Sequence, residues 1–357
     1  MKGIFKKKTT RTDFLTYLGV IIAFGVMYFM QQGDMLKNSV QGMLVPVCCF
    51  VVMAVSLNLT VGILGELSLG HAGFMSVGAF SGVIAAMSLE PAIPSDLARL
   101  IIAIVVGAIC AAIAGFIVGV PVLRLRGDYL AIVTLAFGEI IKELINCLIV
   151  GYDERGIHFL FNLTGNRTVA DLHLSDSGVA IIKGAQGAVG IHKLASFPMG
   201  FVLVMVCLVV VLNLVRSRTG RAVLAIRDNR IAAESVGINV TKYRLIAFVT
   251  SAALAGASGA LFGLNYSSIQ SSKFDFNTSI LVLVYVVLGG LGNIWGSIIA
   301  AVVLYVLPEA LRGFSDYRML VYAVVLILVM LATNNERFKA ALSRVIPKRR
   351  KGAAVNG

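Results

Sequence analysis

Charge is scarce in this chain: only 14% of its 357 residues are Asp, Glu, Lys or Arg, against about a quarter in a soluble globular domain. With 58% hydrophobic residues and a mean hydropathy of +0.89, a water-soluble fold is excluded and an integral membrane protein is indicated. Proline is scarce too, seven in all. Apolar runs recur that approach the roughly 20 residues a helix needs to cross a bilayer core, which favours a helical bundle over a barrel. The five cysteines, Cys48, Cys49, Cys110, Cys147 and Cys207, lie inside apolar runs without metal-ligand spacing and read as small core hydrophobes. The four histidines, His71, His158, His173 and His192, form no HExxH, and no GxxxxGK[ST] phosphate loop occurs. No catalytic constellation, metal site or cofactor is expected in this chain, and any ATP hydrolysis belongs to another.

Acidic residues are outnumbered, 18 against 31 Lys and Arg, for a net charge of +13. Such an excess could suit nucleic acid, but the cations gather between the apolar runs and at the two ends, the pattern of cytoplasmic loops in membrane proteins. A lipid bilayer is therefore the expected partner and nucleic acid is not.

Ten runs read as spans, at about 14–30, 40–59, 63–87, 97–122, 129–150, 197–215, 245–264, 279–288, 297–311 and 319–333. The fold class predicted is an all-α polytopic membrane protein of about ten transmembrane helices, eight being possible, with both termini cytoplasmic. The first run is not read as a secretory signal, because no small-x-small cleavage site follows Met30. On the proposed inner side lie 21 of the 31 Lys and Arg, and an even span count keeps both basic ends there. The expected organisation is a basic cytoplasmic N-terminus (1–13), a transmembrane domain (14–333) and a basic cytoplasmic tail (334–357). Within the domain, 151–196 is an external segment and 216–244 a charged cytoplasmic loop, too polar for lipid and too short for a domain.

Three stretches could carry chemistry. In the third run, Gly62, Gly65, Gly70, Gly73 and Gly78 interleave with Ser68, Ser76 and Ser81, so that helix backbones can approach closely. A Gly-broken helix is tolerated in a membrane only against protein or a wet cavity. Glu66 and His71 lie in this interior segment and are functional candidates as intramembrane ionisable groups, although Glu66 could equally be solvated or cap a helix. In the fifth run, Glu139, Lys142 and Glu143 share one side of a helix, facing an aqueous path or forming an internal ion pair. Thr134 and Thr250 are expected to bond to carbonyls of their own helices. The 216–244 loop, with five Arg before Ile231, reads as a docking loop.

Four stretches, LNLTVGILGELSLGHAGFMSVGAF (57–80), RLRGDYLAIVTLAFGEIIKELI (124–145), SRTGRAVLAIRDNRIAAESVGINVTKYRLIAFVTSAALAGASGALFG (217–263) and VVLGGLGNIWGSIIAAVVLYVLPEALR (286–312), closely resemble the permease of branched-chain amino acid ABC importers. The chain looks like the member of the paired permeases in which RGDYLAIVTLAFGEI is typical, over roughly 40–333. The family's coupling signature, Glu-Ala-Ala followed by Gly, is met loosely by Ala233-Glu234-Ser235-Val236-Gly237. The resemblance implies a non-catalytic subunit in a bacterial plasma (inner) membrane. Its partners would be a second permease subunit, two cytoplasmic ABC ATPase subunits that bind the ATP and Mg, and an external solute-binding protein. Arg227, Asp228, Ala232, Ala233, Glu234, Ser235 and Gly237 would form the ATPase-coupling site. Ser68, Gly70, His71, Ser76, Thr134 and Glu139 are candidates for the translocation path of a Leu/Ile/Val-type amino acid. A urea or amide permease of the same family stays open, as does an ion-coupled secondary transporter using Glu139 or His71.

Overall fold

A single buried rod organises the bundle. Helix α2 (Asn38–Asn58) runs without interruption into a π-helical turn, Leu59–Leu64. The 27 residues carry no charged side chain, and 94% of their membrane-length stretch is buried, which puts this span at the centre. The computed structural model describes residues 2–33, 38–125, 127–162, 167–175 and 178–311, with isolated positions between 317 and 327. The chain divides into two units, Met1–Val302 and Val303–Gly357.

Against the rod pack α9 (Val240–Gly263), α6 (Phe197–Arg216) and α10 (Phe276–Gly289), while α3 (His71–Ser88) and α4 (Asp96–Val122) pack on α9 and on each other. Small residues allow this. A Cβ on Gly78 would lie 2.1 Å from the Gly256 carbonyl oxygen, and one on Gly259 would lie 1.9 Å from that of Met75. Helices α3 and α9 therefore meet backbone to backbone, where dispersion rather than the hydrophobic effect holds membrane helices together. Helix α4 shows the same logic on its two faces. Ala103, Gly107, Ala111 and Gly115 are buried at four-residue spacing, whereas Ile101, Val105, Ile109, Ile113 and Phe116 point outward. Large side chains suit lipid and small ones suit a helix interface.

The remaining helices are α1 (Lys2–Gln32), α5 (Asp128–Asn146), α7 (Arg218–Asp228), α8 (Arg230–Ser235) and α11 (Ile294–Ala310). Among the described residues, six helical segments are long and apolar enough to cross a membrane: 38–64, α3, α4, α6, α9 and 271–289. At the other expected spans, α11 and the apolar part of α1 (Thr16–Gln32) are shorter, and α5 carries Glu139, Lys142 and Glu143. The tenth expected span (319–333) falls almost entirely outside the described residues, and the tail (334–357) wholly so.

Several expectations are corrected. The class is not purely helical: β1 (Leu148–Asp153), β2 (Gly156–Phe161), β3 (Val179–Lys183), β4 (Ala188–Val189) and β5 (Ser268–Ile269) form one sheet in the order β2-β1-β3-β4-β5. Its pairings are antiparallel, with Val150 opposite Phe159 and Ile182, and Ala188 opposite Ile269. The fifth span ends at Asn146 rather than 150, because Leu148–Val150 continue the apolar run as a strand. The third span starts at His71: residues 65–70 are not helical, since Gly65 turns the chain out of the π-helix at φ +82°. These corrections aside, the N-terminal segment is helical from Lys2 and continuous with the first span, and the 216–244 stretch holds α7 and α8.

Two ends are thereby defined. Helix α5 starts at Asp128 beside α8 and finishes at Asn146 beside the sheet, a rise of about 28 Å for 19 residues. The helical pair α7–α8 and the sheet thus mark opposite ends of the bundle.

Candidate functional site

The pair α7–α8 is built by local signals. Ser217, Asn229 and Asn239 are the N-caps of α7, α8 and α9, and their side chains accept from the amides of Gly220 (3.2 Å), Ala232 (3.0 Å) and Lys242 (3.0 Å). Each satisfies an amide the first helical turn leaves free. Helix α8 ends where Gly237 adopts φ +82°. The Gly237 amide donates to the Glu234 carbonyl (3.0 Å) and the Ile238 amide to that of Ala233 (3.1 Å), the paired bonds of a Schellman stop. Ile226, Ala233 and Val240 form a small core inside the pair, with Ile238 against it. Val223 joins Leu59, Ile63, Leu64 and Ala247 in a second cluster that fastens α7 to the π-helix and α9.

The structure sorts the seven expected coupling residues by direction. Ala232, Glu234, Ser235 and Gly237 are exposed on α8 and its stop. Ala233 is not: it is 3% exposed and packs inward. The side chain of Arg227 is 39% exposed but anchored to the bundle, its Nη1 donating to the Gly62 carbonyl (3.1 Å). Its Nη2 meets Asp228 Oδ1 at 3.2 Å, the exposed pair within the loop, and Arg230 meets Glu234 at 3.0 Å. Two residues escaped the sequence reading. Ile231 and Val236 are 80% and 74% exposed, large apolar side chains flanking Ala232–Ser235. No sequence signal singled them out, because Val223, Ile226, Ile238 and Val240 of the same loop are branched aliphatics that pack inward.

Beside α8 opens a cleft of about 610 Å³, lined among others by Leu64, Glu66, Asp128, Ile226, Arg230 and Arg244. At its back Arg244 forms a buried ion pair with Glu66 and donates to the Leu123 carbonyl (2.6 Å). Glu66 is thus fixed by a partner 178 residues away in sequence.

From Gly65 to Gly70 the backbone is not helical and runs from an exposed start at Gly65 and Leu67 to buried Gly70, where neighbouring side chains complete it. The Leu69 amide donates to Thr134 Oγ1 (3.1 Å), and the Ala72 amide donates to Ser279 Oγ (3.1 Å). Helix α3 is therefore capped from α5 and α10. A Cβ on Gly70 would sit 2.0 Å from the Thr134 carbonyl oxygen, so only glycine fits. His71 is 2% exposed and bonds through Nε2 to Ser56 Oγ (2.8 Å). Thr134 also donates to the Ala131 carbonyl (2.9 Å), as Thr250 does to that of Ile246 (2.7 Å). Ser68 and Ser76 are buried with hydroxyls that have no partner among the described residues. Glu139 pairs with Lys142, which lies 3.6 Å from Glu143, and it accepts from the Phe276 amide (3.1 Å) at the start of α10. The six path candidates thus fall into a cluster around the break (Ser68, Gly70, His71, Thr134), a buried position on α3 (Ser76) and Glu139 farther along α5.

At the sheet end, Asp153 lies buried in the β1–β2 hairpin. Burial raises its carboxyl pKa, but the His158 ring at 2.9 Å and the amides of Arg155 and Ser175 outweigh this and hold it below its ordinary value.

Residues 39–330 match the family described as the branched-chain amino acid transport system, permease component. The chain belongs to this family. The permease is 34% identical over 293 residues to the high-affinity branched-chain amino acid transport system permease protein LivM of Escherichia coli K12, covering 79% of the present chain and 66% of that protein. It is 35% identical, over the same shares, to LivM of Salmonella typhimurium. It thus spans somewhat less than two thirds of these relatives. A shorter similarity, 31% over 129 residues, links it to the ribose import permease protein RbsC of Escherichia coli K12, covering 34% of the permease and 40% of RbsC. No solved structure matches it.

Proposed function

We propose that this permease is the membrane-spanning, non-catalytic subunit of an ATP-driven importer of branched-chain amino acids of the Leu/Ile/Val type. It would work in a bacterial inner membrane with a second permease subunit, two cytoplasmic ATPases that bind ATP and Mg, and an external solute-binding protein. The LivM relatives carry the branched-chain amino acid system in their names. The observation that carries the reading is α8, which presents Ile231, Ala232, Glu234, Ser235 and Val236 to solvent on a pair of helices capped at every start and packed onto the buried rod. Exposed Ile and Val side chains around small ones suit a partner's groove, and the rigid pair would pass force onward. On this reading α7–α8 and both termini face the cytoplasm, the sheet faces outward, and about ten spans rock between inward-open and outward-open states.

The test is Glu234→Lys. It replaces the carboxylate that pairs with Arg230 by a cation beside Arg230 on an exposed surface. The expected result is normal membrane insertion with loss of ATPase co-purification and of ATP-dependent leucine uptake in vesicles loaded with the whole system. Wild-type co-purification and uptake by the variant would refute the docking surface. Uptake of urea in place of leucine by the unaltered system would instead reassign the substrate.

A further inference from the structure

We infer that Arg227 is a strut that carries movement of the docking pair into the broken span, and so positions the break without itself touching an ATPase or the solute. The inference rests on the reading that α7–α8 docks an ATPase. Arg227 lies in the last turn of α7, and its guanidinium is held on two sides, by the Gly62 carbonyl (3.1 Å) and by Asp228 Oδ1 (3.2 Å from Nη2, 3.4 Å from Nε). Gly62 belongs to the end of the π-helix, where carbonyls have no later amide to bond and carry the negative end of the helix dipole. A guanidinium there satisfies both the orphan acceptor and the dipole.

The stem of Arg227 is equally constrained. A Cβ on Gly65 would come within 2.7 Å of Arg227 Cγ, and Gly65 already needs its positive φ to leave the helix. On its other side the π-helix is wedged against the turn between α10 and α11. A Cβ on Gly62 would lie 2.2 Å from the Gly292 amide, which donates to Asn58 Oδ1 (2.8 Å), while Asn58 Nδ2 donates to Ser297 Oγ (2.9 Å). The C-terminal end of the rod is thus held between a fixed turn and the Arg227 guanidinium. Immediately beyond it runs Gly65–Gly70, whose far end is tied to α5 and α10 by Thr134 and Ser279.

Apolar contacts such as that of Val223 with Leu59 and Ile63 permit sliding, because dispersion has little directionality. A charge-assisted hydrogen bond to one carbonyl does not slide. Displacement of α7 therefore reaches Gly62 through Arg227 and enters the non-helical segment that begins α3.

The experiment uses the complete importer in nanodiscs, with the ATPases and solute-binding protein that assemble on the unaltered chain, and Arg227→Ala in parallel. The exposed residues of α8 are untouched, so ATPase binding and ATP hydrolysis should persist. Leucine moved per ATP hydrolysed should fall about tenfold or more, in line with the loss of a hydrogen bond to a charged group. A nitroxide at Leu67, which is 38% exposed on the broken segment, should change its spectrum on ATP binding in the unaltered importer and not in the variant. Arg227→Gln keeps the stem against Gly65 and removes the charge; it carries the same expectation if the alanine chain does not assemble. A wild-type ratio of transport to hydrolysis, or an unchanged ATP response at Leu67, would overturn the strut while leaving the docking surface intact. Failure of the unaltered chain to hold an ATPase would remove the docking reading and the strut with it.

Discussion

Replacing Arg244 by methionine isolates the buried ion pair at the back of the cleft. The two side chains are 6% and 15% exposed, so water can do little for whichever charge is left behind. Methionine keeps much of the length and apolar stem of arginine, which limits the cavity contribution. What remains is the Glu66 carboxylate without its cation, plus the lost bond to the Leu123 carbonyl. Breaking a buried pair by removing one partner costs about 3–5 kcal/mol, whereas removing both charges is often close to neutral. At about 2 °C per kcal/mol for a chain of this size, the midpoint of thermal unfolding of the detergent-purified permease should fall by about 6–10 °C. Glu66→Gln added to Arg244→Met removes the stranded charge and should recover more than half of that loss. With Glu66→Gln alone as the remaining corner, these measurements close a double-mutant cycle, in which the coupling and not either single effect is the quantity of interest. An Arg244→Met variant as stable as the parent would refute the reasoning, because it would mean that the carboxylate is solvated. So would a double variant no better than Arg244→Met.

Thr134→Val preserves shape but removes the acceptor for the Leu69 amide; a stranded buried donor costs about 1–3 kcal/mol, while Thr134→Ser should be near neutral. Equal thermal midpoints for the valine and serine variants would show that the cap is dispensable. At the sheet, a depressed carboxyl pKa stabilises the fold above its unfolded value, ordinarily 3.8, and that contribution is lost as pH falls through the lower folded value. Amide protection in the β1–β2 hairpin should therefore hold from neutral pH to about pH 4 and drop below it, with Asp153→Asn already weakly protected at neutral pH; protection indifferent to pH down to about 2 would remove Asp153 from the account.

Much of the bundle was legible because the pattern that makes a membrane helix is compositional. A run of apolar residues between basic flanks has few other places to go. The glycines of the third run announced close backbone contact, and Gly62, Gly70 and Gly78 all make it. The sheet was not legible for a specific reason. Leu148–Val150 extend an apolar run already assigned to α5, and a short apolar stretch has no periodicity that tells strand from helix. Direction was hidden as well. Ala232 and Ala233 are chemically identical in sequence, yet one faces solvent and the other the Ile226–Val240 core, because α8 is fixed in phase by the Asn229 cap. The Glu66–Arg244 pair and the Arg227–Gly62 bond join positions 178 and 165 residues apart. No local pattern encodes such a meeting.

The polar residues of the interior take on a different meaning once their bonds are traced. A broken span exposes amides and carbonyls that lipid cannot satisfy. Thr134 and Ser279 supply acceptors to α3, Asn58 holds the α10–α11 turn, and Ser251 and Ser258 donate to the Ser56 and Cys49 carbonyls of α2 (2.6 and 3.0 Å). His71 is occupied by Ser56. These groups are therefore committed to backbone and to one another, whereas the buried Ser68 and Ser76 hydroxyls have no partner among the described residues. The two ends differ: there the charges of Arg230, Glu234, Glu139 and Glu143 remain a third or more exposed. The strut inferred for Arg227 uses this division: the bonded interior groups keep their partners while the span shifts, and the exposed charges lie where its movement begins or ends.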